Sequence, residues 1–315
     1  MTRAPFATAA AMAVLLGGIT LTAAEPAAKF PVIGYLPEYR VDGFDENICR
    51  QLDELVFFSI EPRADGTLDT SRLKPGMIRQ LGLLRKKYRL KLRICVGGWD
   101  RSRGFIACTA REASRARLVG QLVAFCRRNG FDGVDLDWEH PKGPAQQAAY
   151  TRLIVETKKA FTPRRLSLTA AIAGWQQLPP AAWQSLDRIH LMSYDAAGQH
   201  STLAQARQDI DRLRKAGIPA NRICLGVPFY GRSLDKKRTA YTYADIVRRF
   251  SPKPTTDQTN GVYFNGPATI RHKTQLAISG GLAGISIWEI GQDLRGPGSL
   301  LSVIAGSVKQ PSGRP

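Results

Sequence analysis

Metal-ligand spacing is the first thing this sequence lacks. Its five cysteines and four histidines are scattered over 315 residues, with no Cys-x-x-Cys pair and no Cys/His cluster. No zinc site can be read from such a pattern, and neither a metal nor a cofactor is expected. Long apolar runs are missing as well. The one candidate, near the start, is Ala-rich and broken by Gly17 and Gly18, whereas a membrane-spanning helix needs about 20 apolar residues. Stable membrane insertion is therefore not expected. Acidic residues are scarce, 26 Asp and Glu against 45 Lys and Arg, for a formal charge of +19. Yet there is no long basic tail and no recognisable nucleic-acid module, which argues against a nucleic-acid partner. The cations fall in helical stretches such as 111–128 and 207–215 and read as solvated helix faces. The alternative is a field that gathers anionic polymers, cell-wall polymers among them. No Cys-rich or aromatic-rich appendage remains to serve as a separate binding module.

What is present begins with a leader. Arg3 gives a positive start, Met12, Val14, Leu15, Leu16 and Ile19 an apolar run, and Thr22, Ala23 and Ala24 a small-residue stretch before Glu25. Residues 1–24 read as a signal peptide. Its removal leaves a charge of about +18 and a chain expected outside the cytoplasm, secreted or periplasmic, as a monomer. In that setting Cys49, Cys95, Cys108, Cys126 and Cys224 allow one or two disulfides and leave one thiol over.

Short apolar runs alternate with longer amphipathic stretches. Eight runs, at 31–36, 55–60, 91–96, 133–138, 166–172, 188–193, 222–228 and 283–288, are apolar enough to be covered on both faces, as parallel strands are. With helices between them, they predict an α/β fold, a single-domain (β/α)8 TIM barrel over 25–309 with a flexible tail at 310–315. Between the last two runs lies a connection rich in Pro, Thr, Asn and Gly, followed by a helix over 267–279. It reads as a short insertion rather than a domain.

The chemistry-bearing segment is Asp132-Gly133-Val134-Asp135-Leu136-Asp137-Trp138-Glu139. Side chains alternate on a strand, so Asp135, Asp137 and Glu139 share one face and Val134, Leu136 and Trp138 the other, with Asp132 out of phase and read as structural. In a barrel the acidic face points inward and Glu139 comes last, at the C-terminal rim where barrel enzymes work. Like charges held this close raise a pKa, so the ladder can keep a proton at neutral pH and deliver it to a leaving oxygen. A calcium site or a structural network is the competing reading, but calcium sites usually come from flexible, glycine-containing loops. Glu61 and Glu289 are spare carboxylates, with nothing to place either beside Glu139.

This Asp-x-x-Asp-x-Asp-x-Glu run resembles that of the family 18 glycoside hydrolases, the chitinases and their relatives. Other blocks agree over about 32–293: Gly34-Tyr35, Gly97-Gly98-Trp99, Met192-Ser193-Tyr194-Asp195, the stretch from Gly226 to Tyr230-Gly231-Arg232, and Ile287-Trp288-Glu289. The resemblance implies a retaining, substrate-assisted reaction on N-acetylglucosamine polymers, an exception to the two-carboxylate scheme. Glu139 is then the acid/base and Asp137 orients the acetamide, with Asp135 behind it and Tyr194 on the acetamide oxygen. Trp288 is the floor, and Tyr35, Trp99, Met192, Asp195, Tyr230 and Arg232 line the cleft, although Asp195 and Arg232 equally suit an ion pair. Gly97 and Gly98 allow close backbone approach. Cys95 stands where the family commonly has Ser. The short insertion implies a shallower cleft, which favours internal cleavage or a small or branched substrate over processive exo-action. Peptidoglycan or N-glycan cleavage between N-acetylglucosamine units, and a non-hydrolytic lectin, are the alternative functions.

Overall fold

A computed structural model of the chain describes residues 1–2 and 30–309; the rest of the leader read at 1–24, and the tail at 310–315, lie outside the described residues. Eight parallel strands form the frame: β1 (Val32–Pro37), β2 (Glu54–Pro62), β3 (Lys91–Gly97), β4 (Gly133–Asp137), β5 (Ser167–Ala173), β6 (Arg188–Met192), β7 (Ile223–Pro228) and β8 (Gly284–Trp288). Neighbours run β1-β8-β7-β6-β5-β4-β3-β2, and β2 pairs back onto β1, closing the barrel. Each strand coincides within two residues with an apolar run, because β-branched and aromatic residues suit a sheet buried on both faces.

The main crossover helices are α1 (Met77–Tyr88), α2 (Glu112–Asn129), α3 (Gly143–Phe161), α4 (Leu203–Lys215) and α5 (Pro267–Ser279). Their ends follow local chemistry. Gly130 closes α2 at φ 71°, donating its N–H to Cys126 O, a left-handed position that glycine takes without steric penalty. Thr202 opens α4 by accepting the Gln205 N–H, which satisfies a donor with no partner inside the helix.

Strand alternation creates two separate cores. Val134 and Leu136 face outward into a large layer with Ile94, Val96, Phe105, Leu122 and Trp138 beneath the helices. A smaller cluster of Ile33, Tyr35, Val56, Phe58, Cys95 and Cys224 fills the barrel interior. Each fully buried Leu, Ile or Phe contributes roughly 1.5–3 kcal/mol. At the barrel's lower end Glu54 is bracketed by Arg93 and Arg188. Burial and the nearby Arg188 lower Arg93 to about 10, so it stays charged at neutral pH.

Two expectations are corrected. The connection after β7 is not simply a loop and a helix. Strands Tyr230–Ser233, Ala240–Thr242, Gln258–Thr259 and Val262–Tyr263 make a four-stranded antiparallel sheet, with a helix over Tyr243–Phe250. Strands of two to four residues are too short for alternation to show in sequence. The cysteines form no disulfide: all five are free and buried. Counting cysteines does not reveal that Cys95 and Cys224 lie inside the barrel while Cys49, Cys108 and Cys126 lie in the outer layer. Burial pushes Cys49, Cys108 and Cys126 up to about 12, so their reactive thiolate forms are scarce at neutral pH.

Among the described residues no helix is long and apolar enough to cross a membrane. The expected outcome of thiol titration is five reactive thiols in denaturant without reductant, and almost none in the native protein over the same minutes. A denatured count of three or one would instead reveal one or two disulfides.

Candidate active site

The inward face of β4 carries the ladder upward, with Asp135 and Asp137 inside the strand and Glu139 two residues past its end. The three carboxyls meet very different surroundings. Asp135 is fully buried and well supplied with donors. The Tyr35 hydroxyl donates to its Oδ2 at 2.7 Å, and the Thr169 hydroxyl donates to Oδ1. His190 Nδ1 lies 3.2 Å from the same Oδ1 and 2.7 Å from the Tyr35 oxygen. Burial opposes the charge, but His190 and the two hydroxyls outweigh it and hold Asp135 below the usual carboxylate range. Burial likewise holds the His190 imidazole below its ordinary value.

Asp137, one step higher, is buried with no such support. Its Oδ1 has no hydrogen-bond partner, and Oδ2 faces the Cys95 sulfur at 4.0 Å. Burial, then Glu139, then Asp135 push it well above the carboxylate range. Glu139 is raised to about 7, by burial first and Asp195 second. The two act as a pair that retains at least one proton at neutral pH.

The backbone around this pair is fixed from the β3 side. Gly98 N–H donates to Asp137 O at 2.7 Å, and the Ser102 hydroxyl oxygen accepts the Glu139 N–H at 3.0 Å. Gly98 sits at φ 103°, where a Cβ would stand 2.3 Å from the Phe58 ring, and a Cβ on Gly97 would stand 2.4 Å from Asp137 O. The two glycines thus permit the close approach on which the ladder's position depends.

Above the ladder opens a cleft of about 720 Å³. Trp288 forms its floor, packed 4.7 Å from the Phe58 ring and 5.7 Å from Tyr35. Arg101 lies 4.7 Å over the Phe58 ring and donates to Glu38 through two bonds of 2.8 and 3.0 Å. Met192 and Tyr194 enter from the end of β6, and Asp195 pairs with Arg232. Trp99 and Trp175 stand at the rim, 72% and 62% exposed. Of the sequence-derived lining residues, Tyr230 is placed elsewhere: it is buried beneath the Arg232 guanidinium, 5.3 Å below it, off the cleft wall. The spare carboxylates are engaged, Glu289 by Arg40 at 2.9 Å and Glu61 by Arg72 at 2.8 Å. Asp132, at the foot of β4, accepts the Leu92 N–H and pairs with Arg85.

Several site residues escaped the sequence reading. His140 Nε2 lies 3.6 Å from Glu139 Oε2, its Nδ1 lies 3.2 Å from Gln176 Oε1, and its ring meets Trp175 edge-on at 4.8 Å. Burial lowers its pKa, which leaves a neutral ring beside the acid. Adjacency to Glu139 was the available signal for His140. Nothing local marked His190, Ser102 or Trp175. Among the described residues no group of three or more His, Cys, Asp or Glu is placed to hold a metal ion.

A closed parallel barrel with a proton-holding carboxyl pair in an aromatic-floored cleft, at the C-terminal ends of its strands, has the architecture of a barrel enzyme. The model of glycosyl hydrolases family 18 matches residues 32–293, and the chain belongs to that family. It is 30% identical to probable chitinase 2 of Drosophila melanogaster over 272 residues, 75% of this chain and 53% of that protein. With chitotriosidase-1 of Mus musculus it shares 33% over 229 residues, 60% of this chain and 48% of that one. The chain therefore spans about half the length of these two curated relatives. The crystal structure of a family 18 chitinase from the chitin utilization locus of Flavobacterium johnsoniae superposes with a TM-score of 0.81 at 25% identity, covering 90% of this chain and 94% of that one.

Carbon-13 labelling of the glutamate side chains provides a direct test of the acid. Glu139 is expected to lose its proton with a midpoint near 7, and Asp195→Asn to lower that midpoint, because a neutral neighbour favours the ionised form. A wild-type midpoint at the ordinary 4.5 would contradict this account.

Proposed function

We propose that the chain is an exported enzyme that hydrolyses β-1,4-linked N-acetylglucosamine polymers with retention, using the substrate's own acetamide as nucleophile. The observation that carries the reading is the unpartnered Asp137 Oδ1 directly beneath the proton-bearing Glu139. An acetamide N–H is the donor that oxygen lacks. With Asp137 ionised and accepting that bond, the pair's proton resides on Glu139, facing the leaving oxygen. The acetamide oxygen attacks the anomeric carbon as Glu139 protonates the glycosidic oxygen and the C–O bond breaks. Glu139, now anionic, takes a proton from water, which attacks the same carbon from the vacated side and regenerates the acetamide. A free protein nucleophile across the cleft is not needed, and Asp195, which lines the cleft, is held by Arg232.

Trp288 suits the apolar face of a pyranose ring, and Tyr194 is available to the acetamide oxygen. The sheet after β7 contributes Arg232 to one wall; its small size favours internal cleavage of a chain. Export rests on the leader at 1–24. An intact acid weighs against a purely lectin-like role.

Reducing-end release from N-acetylglucosamine tetramers is expected from wild type, declining above about pH 7 as Glu139 loses its proton. Glu139→Gln is expected to lose about 10²–10⁴-fold in kcat while still binding the oligomer. Full turnover by that variant would sink the assignment. Activity on peptidoglycan sacculi or a high-mannose glycoprotein, with none on the tetramer, would move the reading to another N-acetylglucosaminyl bond.

A further inference from the structure

Part of the excess positive charge gathers at one end of the folded chain. In a closed parallel barrel every crossover helix runs from the cleft end back to the opposite end, so helix C-termini and strand starts share one face. The last turns of α1, α2 and α3 carry Arg85, Lys86 and Lys87, then Arg127 and Arg128, then Lys158 and Lys159. These ends are contiguous. Arg85 donates to Gly130 O at 2.9 Å, and Ser167 N–H donates to Asp132 O at 3.0 Å.

The carboxylates at this end are already engaged: Asp132 with Arg85, Asp187 with Lys158, Glu46 with Lys87, and buried Glu54 with Arg93 and Arg188. Lys86, Arg89, Arg127, Arg128, Lys159 and Arg165 are left exposed, and none of them is in a salt bridge among the described residues. At the cleft Arg101, Arg212 and Arg232 each hold a carboxylate, and Arg238 donates to the backbone carbonyls of Asp195 and Ala196.

Compensation of helix dipoles accounts for part of this, about 0.3–1 kcal/mol per well-placed cation. Arg89 and Arg165 close their helical segments at φ 57° and 54°, donating their N–H groups to Arg85 O and Thr162 O. Those left-handed positions favour glycine or asparagine, so an arginine serves as the cap at some conformational cost and adds a cation to this end.

We propose that this face, on the opposite end of the barrel from the cleft, binds an anionic polysaccharide whose carboxylates pair with its guanidinium groups. Forked arginines outnumber lysines among the unpaired cations, and a guanidinium matches a carboxylate with two parallel bonds. Occupation of this end leaves the cleft open, so the protein holds a charged matrix while it works on a neutral polymer.

The test is retention of the full chain on immobilised polygalacturonate in about 0.1 M salt, where screening beyond roughly 10 Å isolates local contacts. One variant carries Arg127→Glu, Arg128→Glu, Lys159→Glu and Arg165→Glu. A control of equal charge change carries Lys236→Glu, Lys237→Glu, Lys253→Glu and Arg271→Glu, all exposed sites elsewhere. The first is expected to lose about tenfold or more in affinity, and the control to remain within about twofold of wild type. Both variants are expected to keep the wild-type melting temperature and tetramer turnover. Equal loss in both would reduce the effect to net charge and overturn the proposal, as would unchanged binding in the first. Duplex DNA held through the same four residues, without binding of polygalacturonate, would overturn it too. Retention is read without turnover, so failure of the hydrolase reading would not be mistaken for failure of this one.

Discussion

Repulsion among three carboxylates on one face of one strand is the constraint around which the barrel interior is arranged. A strand spaces same-face residues about 6.6 Å apart, close enough in a dry interior that all three cannot be charged together. The fold answers by supplying donors unequally. Asp135 receives Tyr35 from β1, Thr169 from β5 and the neighbouring His190 from β6. Asp137 receives none at Oδ1. The proton is thereby displaced upward, to the Asp137–Glu139 pair at the mouth of the cleft. Strands from three parts of the barrel are needed for this, so the acid depends on closure of the whole sheet.

The same logic separates the two ends of the molecule. At the top, cations are matched to carboxylates that shape the cleft: Arg101 to Glu38 beneath Phe58, Arg232 to Asp195 at the wall. At the bottom, Glu54 ties Arg93 and Arg188 together inside the barrel, while the rim outside it carries cations in excess. A buried ion pair of this kind is weak evidence for net stability, but removing one partner strands the other charge, typically at about 3–5 kcal/mol. The lower assembly joins residues near the starts of β2, β3 and β6.

Much of this was legible beforehand, because it rests on periodicity. Eight apolar runs became eight strands, and alternation alone put Asp135, Asp137 and Glu139 on the inner face. What stayed illegible depends on three-dimensional proximity. His190 lies 55 positions from Asp135 and only the barrel's curvature brings them together. Ser102 reaches the Glu139 backbone because two glycines let the β3 end press against β4. The cysteines were misread for a related reason, since chain spacing does not say on which side of a sheet a thiol lies. The cations of the last helical turns, scattered in sequence, come together at one end because parallel topology returns helix C-termini to the same rim.

Holding a proton at Glu139 opposes the stability of the fold. Raising the carboxyl from 4.5 to about 7 disfavours its charged form by roughly 3 kcal/mol. The folded chain binds this proton more tightly than the unfolded chain, so the penalty is absent below 4.5, grows between 4.5 and about 7, and is complete above. Against a net stability of about 5–15 kcal/mol for a typical domain, that is a large local term. The outer core beneath the helices lies on the other side of the sheet from the ladder, with Val134, Leu136 and Trp138 facing it from the very strand that carries the carboxyls. Strand alternation thus lets one segment anchor the fold through its apolar face and hold an unfavourable charge arrangement on the other. The raised carboxyl sits just past the end of a strand that is held in place by the layer behind it.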